Sequence, residues 1–166
     1  AMAVAKAQYT QATVPSDMAA YTLSVQGLKG GHSGVDIDKG RGHAIKLLVR
    51  FLSTVGPTYG LRIAEIEGGS AGNAIPREAS ALICIPDYRT DAFLAAVAEY
   101  QSIIQNELAA VEPELRVEVA PADLPAHVMG EAAQREIVDA LYASPQGIMR
   151  MSDAVPGLVE TSTNMG

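Results

Sequence analysis

The sequence holds one cysteine, Cys84, in 166 residues. That excludes an internal disulfide and a cysteine-based zinc site, and it fits a reducing, cytoplasmic setting. Basic residues are scarce, with 12 Lys and Arg against 19 Asp and Glu and a formal net charge of −7. Nucleic acid and anionic membrane both need clustered positive charge, so neither is expected as a partner. Histidine is rarer still. His32, His43 and His127 lie far apart, and none falls in H-x-x-x-H or H-E-x-x-H spacing. Joining His32 to Asp36 or Asp38 would ask one flexible loop for every ligand, so no metal site is expected within this chain. No apolar run approaches the roughly 18 residues of a membrane span. The first fourteen residues lack the apolar stretch of a signal peptide.

Hydrophobic residues make up 48% of the chain and charged residues 19%, a globular composition with enough apolar side chains for a core. Tyr21, Leu23 and Val25 alternate with polar neighbours, the period of a half-buried strand. After a glycine-rich loop, residues 43–55 place Ile45, Leu48, Phe51, Leu52 and Val55 on one helical face, with Asp36 or Asp38 available to cap its start and Gly56-Pro57 to end it. Residues 61–67 and 79–85 read as strands. Residues 91–111 read as a long amphipathic helix with Phe93, Val97, Tyr100 and Ile104 in its stripe, and 115–119 as a fourth strand. The order β-α-β-β-α-β predicts an α+β, ferredoxin-like fold: an antiparallel sheet with two helices on one face, plus a C-terminal helix-strand extension. Residues 1–12 read as a tail or linker, with Ala1-Met2-Ala3 resembling an expression scar. Residues 13–119 form the main unit. A-P-A-D-L-P-A, 120–126, is a linker by its prolines, and 131–143 and 147–152 are a helix and a short strand opening a second unit. Both ends look cut, as in an excised domain.

Few residues carry an obvious chemistry. G-L-K-G-G-H-S-G, from Gly27, lacks the G-K-[ST] ending of a P-loop and is not G-x-G-x-x-G. Ser33 beside His32 is not a triad, because adjacent loop residues rarely hold nucleophile and base in geometry. Cys84 sits in an apolar strand and reads as an inert core thiol. His43 reads as an exposed or capping residue at a helix start, and His127 as linker. His32 and Asn73 remain. Their loops precede or follow neighbouring strands and can meet at one end of the sheet, and both side chains can donate to a polarised carbonyl oxygen. The alternative is two turn residues, Asn and Gly being chosen there for backbone freedom.

The stretches L-S-V-Q-G-L-K-G-G-H-S-G-V-D-I-D-K-G-R-G, K-L-L-V-R-F-L, G-G-S-A-G-N-A-I-P-R-E-A and G-L-V-E-T-S-T-N, taken in order, closely resemble the aminoacyl-histidine dipeptidases of the zinc aminoacylase, carboxypeptidase and dipeptidase family. The resemblance implies that this chain is the ferredoxin-like lid inserted into a catalytic domain. It implies a two-zinc site and a general-base glutamate in that other domain, an inactive isolated chain, a dipeptide substrate and a homodimer joined through the lid. It assigns His32 to stabilising the oxyanion of the tetrahedral intermediate and Asn73 to binding the substrate's backbone. Asn164, Thr161 and Glu160 are implied to line the same pocket. One departure stands out. Many relatives carry a carboxylate-binding arginine about thirteen residues after the asparagine. That position is Pro86 here and Arg89 is out of register, so the arginine is expected beyond Gly166, in a second half of the lid. An exposed edge strand or the apolar part of helix 43–55 would serve dimerisation. The competing reading, a ferredoxin-like ligand-binding or dimerisation module without chemistry, has no use for the paired H-S-G and N-A-I-P motifs.

Overall fold

Alternation fixes the centre of the molecule. In the computed structural model, which describes residues 2–166, Met18–Gln26 is one long strand whose Leu23 and Val25 are fully buried while Thr22 is exposed. In chain order the strands are β1 (Gln11–Thr13), β2 (Met18–Gln26), β3 (Gly31–His32), β4 (Arg62–Gly68), β5 (Ala74–Ile75), β6 (Ala79–Pro86), β7 (Arg116–Ala122), β8 (His127–Met129), β9 (Gly147–Met151) and β10 (Val159–Thr163). The helices are α1 (Ala44–Thr54), α2 (Gly56–Tyr59), α3 (Thr90–Leu108) and α4 (Glu131–Ala143). The main sheet has the order β4-β6-β2-β7, antiparallel throughout. Each long crossover, through α1 and through α3, skips one strand, as a split β-α-β unit requires. The predicted β-α-β-β-α-β order is therefore present.

Both crossover helices feed one core. Phe51 of α1 meets Phe93 and Tyr100 of α3 at ring-centroid distances of 5.8 and 5.2 Å. Beneath them lie Leu23, Ile63, Ala81 and Ile83 of the sheet. Outside this apolar seam the helices are tied by a two-pronged ion pair, Arg50 to Glu107, at 2.7 and 2.8 Å. The guanidinium donating to Glu107 holds that carboxyl below its ordinary range. Tyr100 buries its hydroxyl and satisfies it by donating to the Leu47 carbonyl at 2.7 Å. The apolar positions of α1, including Ile45, Leu48, Phe51 and Leu52, are all buried. Helix α1 thus has no apolar face free for a second copy, because α4 packs against it from outside.

Two predictions meet a different outcome. The fourth strand runs on to Ala122 instead of yielding to a linker at 120. Val117 turns its N–H outward to Gln101 at 2.7 Å. By the two-residue period Pro121 lies on the same outward row, where a missing N–H breaks no ladder bond. Residues 127–143 do not stand apart as a new unit. His127 lies not in a linker but in β8, which pairs with β1, and Met129 and Val138 join the main core. Gln134 of α4 clasps the edge of β4, accepting from Ile63 N–H at 2.8 Å and donating to the Leu61 carbonyl at 2.9 Å. Residues 159–163, for which no element is predicted, form a strand, β10, which pairs with β9. Apart from the β9–β10 hairpin, these partners are distant in sequence, and local periodicity does not reveal them. Cys84 is fully buried, and burial pushes its thiol up, as an inert core residue.

The aromatic seam fixes how the two helices lie on the sheet. Phe93→Ala is expected to cost about 3–5 kcal/mol of stability, read from urea unfolding of the chain. A loss below about 1 kcal/mol would show that this seam is not a packed core.

Candidate functional site

The glycine loop, residues 27–43, leaves the end of β2 and returns to α1. Two of its glycines are required by geometry. Gly30 has φ +62° and a Cβ there would collide with the Arg77 stem. Gly31 has φ +148° and a Cβ would strike the Arg41 guanidinium and the Asp36 carboxylate. Those two residues deliver the chain into β3, which pairs with β5 so that Gly31 faces Ile75 and His32 faces Ala74. Ser33 N–H then donates to the Asn73 carbonyl at 2.9 Å. The His32 loop and the Asn73 turn are one antiparallel ladder, so the two residues singled out from sequence are brought together.

His32 is exposed, but its ring is oriented from behind. Its Nδ1 accepts the backbone N–H groups of Gly34 at 3.0 Å and Val35 at 3.3 Å. A nitrogen that accepts cannot carry the proton, so in the neutral ring the proton resides on Nε2. The imidazole therefore presents an N–H donor on its outer side. Asp36 completes the brace. Its carboxylate accepts His32 N–H at 2.8 Å and pairs with Lys39 and Arg41, while Arg41 also donates to the Gly30 carbonyl. The Lys39 ammonium, then the His32 amide, lower the Asp36 pKa. Neither Asp36 nor Asp38 caps α1. His43 does so, its Nδ1 accepting Lys46 N–H at 3.3 Å.

The chain's last residues dock on the same ladder. Asn164 donates its side-chain amide to the Ala74 carbonyl at 2.8 Å, and His43 Nε2 lies 2.8 Å from the Met165 carbonyl, to which it donates. Gln146 holds this segment too, accepting from Met165 N–H at 3.0 Å. Asn164 thus spends its amide on the turn that carries Asn73. Glu160 and Thr161 lie farther along the hairpin in β10. Glu160 pairs with Arg150 at 2.8 Å, and Thr161 is exposed. Arg89 is occupied elsewhere, donating to the Thr58 carbonyl and the Tyr88 hydroxyl. Among the described residues, no group of three or more His, Cys, Asp and Glu side chains could hold a metal ion.

A groove of about 660 Å³ opens beside the ladder on the sheet face away from the helices. Gly31, Ala74 and Ile75 form its wall at this end. Ser24, Gln26, Glu67 and Ser80 supply its floor, with Lys29 and Arg77 at the rim. An arrangement of an outward imidazole N–H, an exposed carboxamide and a polar groove can bind and polarise a small polar ligand. Sequence reading placed His43 at the helix start as an exposed or capping residue, and the cap is present; it missed His43 as the anchor of Met165, Asp36 as the brace of His32, and Glu112, treated below. Their signal is three-dimensional, since His43 meets a residue 122 positions away.

A family model described as a peptidase dimerisation domain matches residues 23–112. The chain belongs to the peptidase dimerisation domain family. It is 39% identical over 153 residues to the cytosol non-specific dipeptidase of Escherichia coli, spanning 92% of this chain and 32% of that protein. The crystal structure of aminoacylhistidine dipeptidase from Vibrio alginolyticus matches with a TM-score of 0.93 at 40% identity, over 95% of this chain and 32% of that one. The resemblance read from the motifs holds, and this dimerisation domain spans about a third of the length of the relatives it matches. No helix of the described residues is long and apolar enough to cross a membrane.

His43 gives the domain a pH dependence. Burial lowers its pKa from the ordinary 6.5, against an opposing pull from the hydrogen bond to Met165. The unfolded chain therefore binds the proton more readily. The stabilisation is fully present above 6.5 and is lost as pH falls through the lower folded value. The urea midpoint should decline between about pH 7.5 and about pH 5. In His43→Gln, which can still donate to Met165 but does not titrate, that decline should flatten, and an unchanged slope would contradict the assignment.

Proposed function

We propose that this dimerisation domain is the inserted lid of a zinc-dependent dipeptidase that hydrolyses Xaa-His and other dipeptides. Supporting it are the names of the two relatives, one a cytosol non-specific dipeptidase and the other an aminoacylhistidine dipeptidase. The observation that carries it is the orientation of His32. An exposed imidazole whose Nδ1 is held by two backbone N–H groups keeps its Nε2–H aimed outward. Such a donor suits a negative charge that develops on an oxygen supplied from another domain.

In this reading the scissile carbonyl oxygen of a dipeptide gains charge as the carbon becomes tetrahedral. His32 Nε2–H donates to that oxygen and is strongest when the charge is greatest, which is transition-state stabilisation and not uniform binding. Asn73, with a donor and an acceptor on one carboxamide, binds the substrate's backbone groups. Asn164 braces the Asn73 turn, and Thr161 and Glu160 belong to the adjoining hairpin on the approach to it. Among the described residues, none form a cluster that fits a zinc pair. The zinc ions, the general base and the nucleophilic water are therefore assigned to a catalytic domain outside it, and the isolated lid is inactive. The carboxylate-binding arginine is assigned to the rest of the lid, since Arg89 is engaged at Thr58.

The lid is proposed to pair two copies of the enzyme through a sheet edge, the apolar face of α1 being covered. The cytoplasmic setting follows the E. coli relative's name.

In the full-length enzyme, His32→Ala should lower kcat by about 10²–10³ with KM little changed. Steady-state kinetics on an Xaa-His dipeptide decide this. Normal turnover in that variant would sink the oxyanion role and favour a binding module without chemistry.

A further inference from the structure

Glu112 lies at a chain position with no obvious chemistry, four residues past the end of α3, yet it is 1% exposed. Its Oε2 accepts Lys29 N–H at 2.8 Å and its Oε1 accepts Gly42 N–H at 2.9 Å. Those two amides are the two stems of the glycine loop. Residues 30–41, His32 included, lie between them. Gly42 is shaped for the contact, because a Cβ there would stand 2.7 Å from Leu28 Cδ2 and 3.4 Å from Glu112 Cγ.

We propose that Glu112 is a positioning residue for His32, a clamp that holds both stems of the loop and so sets where the imidazole N–H points. The proposal rests on the oxyanion-donor reading of His32. A buried carboxylate is costly unless both oxygens are satisfied, and an apolar side chain would fill the same space without that cost. What an apolar side chain cannot do is accept two backbone N–H groups at once. Leu28 and Leu115, 5% and 1% exposed, pack the clamp into the body of the domain. The other braces of the loop differ in kind. Asp36, Lys39 and Arg41 tie the loop to itself. The β3–β5 ladder ties it to the Asn73 turn. Glu112 ties it to the helix layer. From Lys29 the chain reaches His32 through Gly30 and Gly31 alone, and Gly31 is already paired with Ile75, so the span is too short to absorb a shift of the stem without moving the imidazole.

The test is a double-mutant cycle in the full-length enzyme with Glu112→Gln and His32→Ala. Gln has one oxygen, so one stem amide loses its acceptor and faces an NH₂ group. Glu112→Gln alone should lower kcat about 10-fold. KM should stay within about two-fold, and in the His32→Ala background Glu112→Gln should change kcat by less than about two-fold. A purely structural role would give the same loss in both backgrounds and would overturn the proposal, as would an unchanged kcat in the single variant. Normal turnover in His32→Ala instead sinks the oxyanion reading itself, so the two failures are told apart. Thermal unfolding checks that each variant is folded. If Glu112→Gln does not fold, Glu112→Asp, which keeps the charge but reaches one stem only, takes its place in the cycle. Failure of both to fold assigns the carboxylate to the core and overturns the proposal.

Discussion

The carboxylate of Glu112 and the two amides it accepts close the glycine loop against the body of the domain. Most of what is distinctive about the molecule follows from the need to hold that loop. A loop rich in glycine is free to take up the positive φ values at Gly30 and Gly31, and for the same reason it has little stiffness of its own. Order is supplied from outside: a buried acid at the stems, a charged cluster around Asp36, and a two-residue ladder with the Asn73 turn. The core supplies the rest. The aromatic seam between α1 and α3 fixes α1, and the start of α1 fixes where the loop must end.

The same logic reaches the far end of the chain. Ala44 N–H donates to the Pro76 carbonyl, so the first turn of α1 is hydrogen-bonded to the residue just after β5. His43 caps α1 with one ring nitrogen and holds Met165 with the other. Asn164 reaches the carbonyl of Ala74. Three segments remote in sequence thus converge behind His32 and Asn73, and what they leave exposed is a donor and a carboxamide beside a polar groove. A site so built can orient and polarise a small polar ligand.

Much of the fold was legible because its strands and helices are strongly periodic. The buried row Leu23 and Val25, the stripe Phe93, Val97, Tyr100 and Ile104, and helix 131–143 all stand where alternation or a helical period put them. The short strand 147–152 was legible, and it stands as β9; the shortest strands were not. β1 and β8 have three residues each and owe their existence to pairing across more than a hundred positions. The continuation of β7 through Pro121 contradicted the usual reading of proline as a break. Only the sheet's edge geometry shows why that proline is tolerated. At the site, His32 and Asn73 were legible through their glycine-rich settings and the family motifs. Glu112 was not, because V-E-P-E-L looks like an ordinary polar turn until Lys29 and Gly42 are seen beside it. Asn164 was read as a pocket residue. Its amide is committed to the backbone of the Asn73 turn, a role that no motif spacing discloses.

The most direct test of this account is the tautomeric state of His32, read from the ring-nitrogen shifts of the ¹⁵N-labelled chain by long-range proton–nitrogen NMR. The account predicts one neutral tautomer, with Nδ1 showing the shift of an unprotonated accepting nitrogen and Nε2 that of an N–H. Two ring nitrogens averaged to a common shift would contradict it. That result would mean the loop does not hold the ring, and that the glycines and the buried acid behind them serve only the turn.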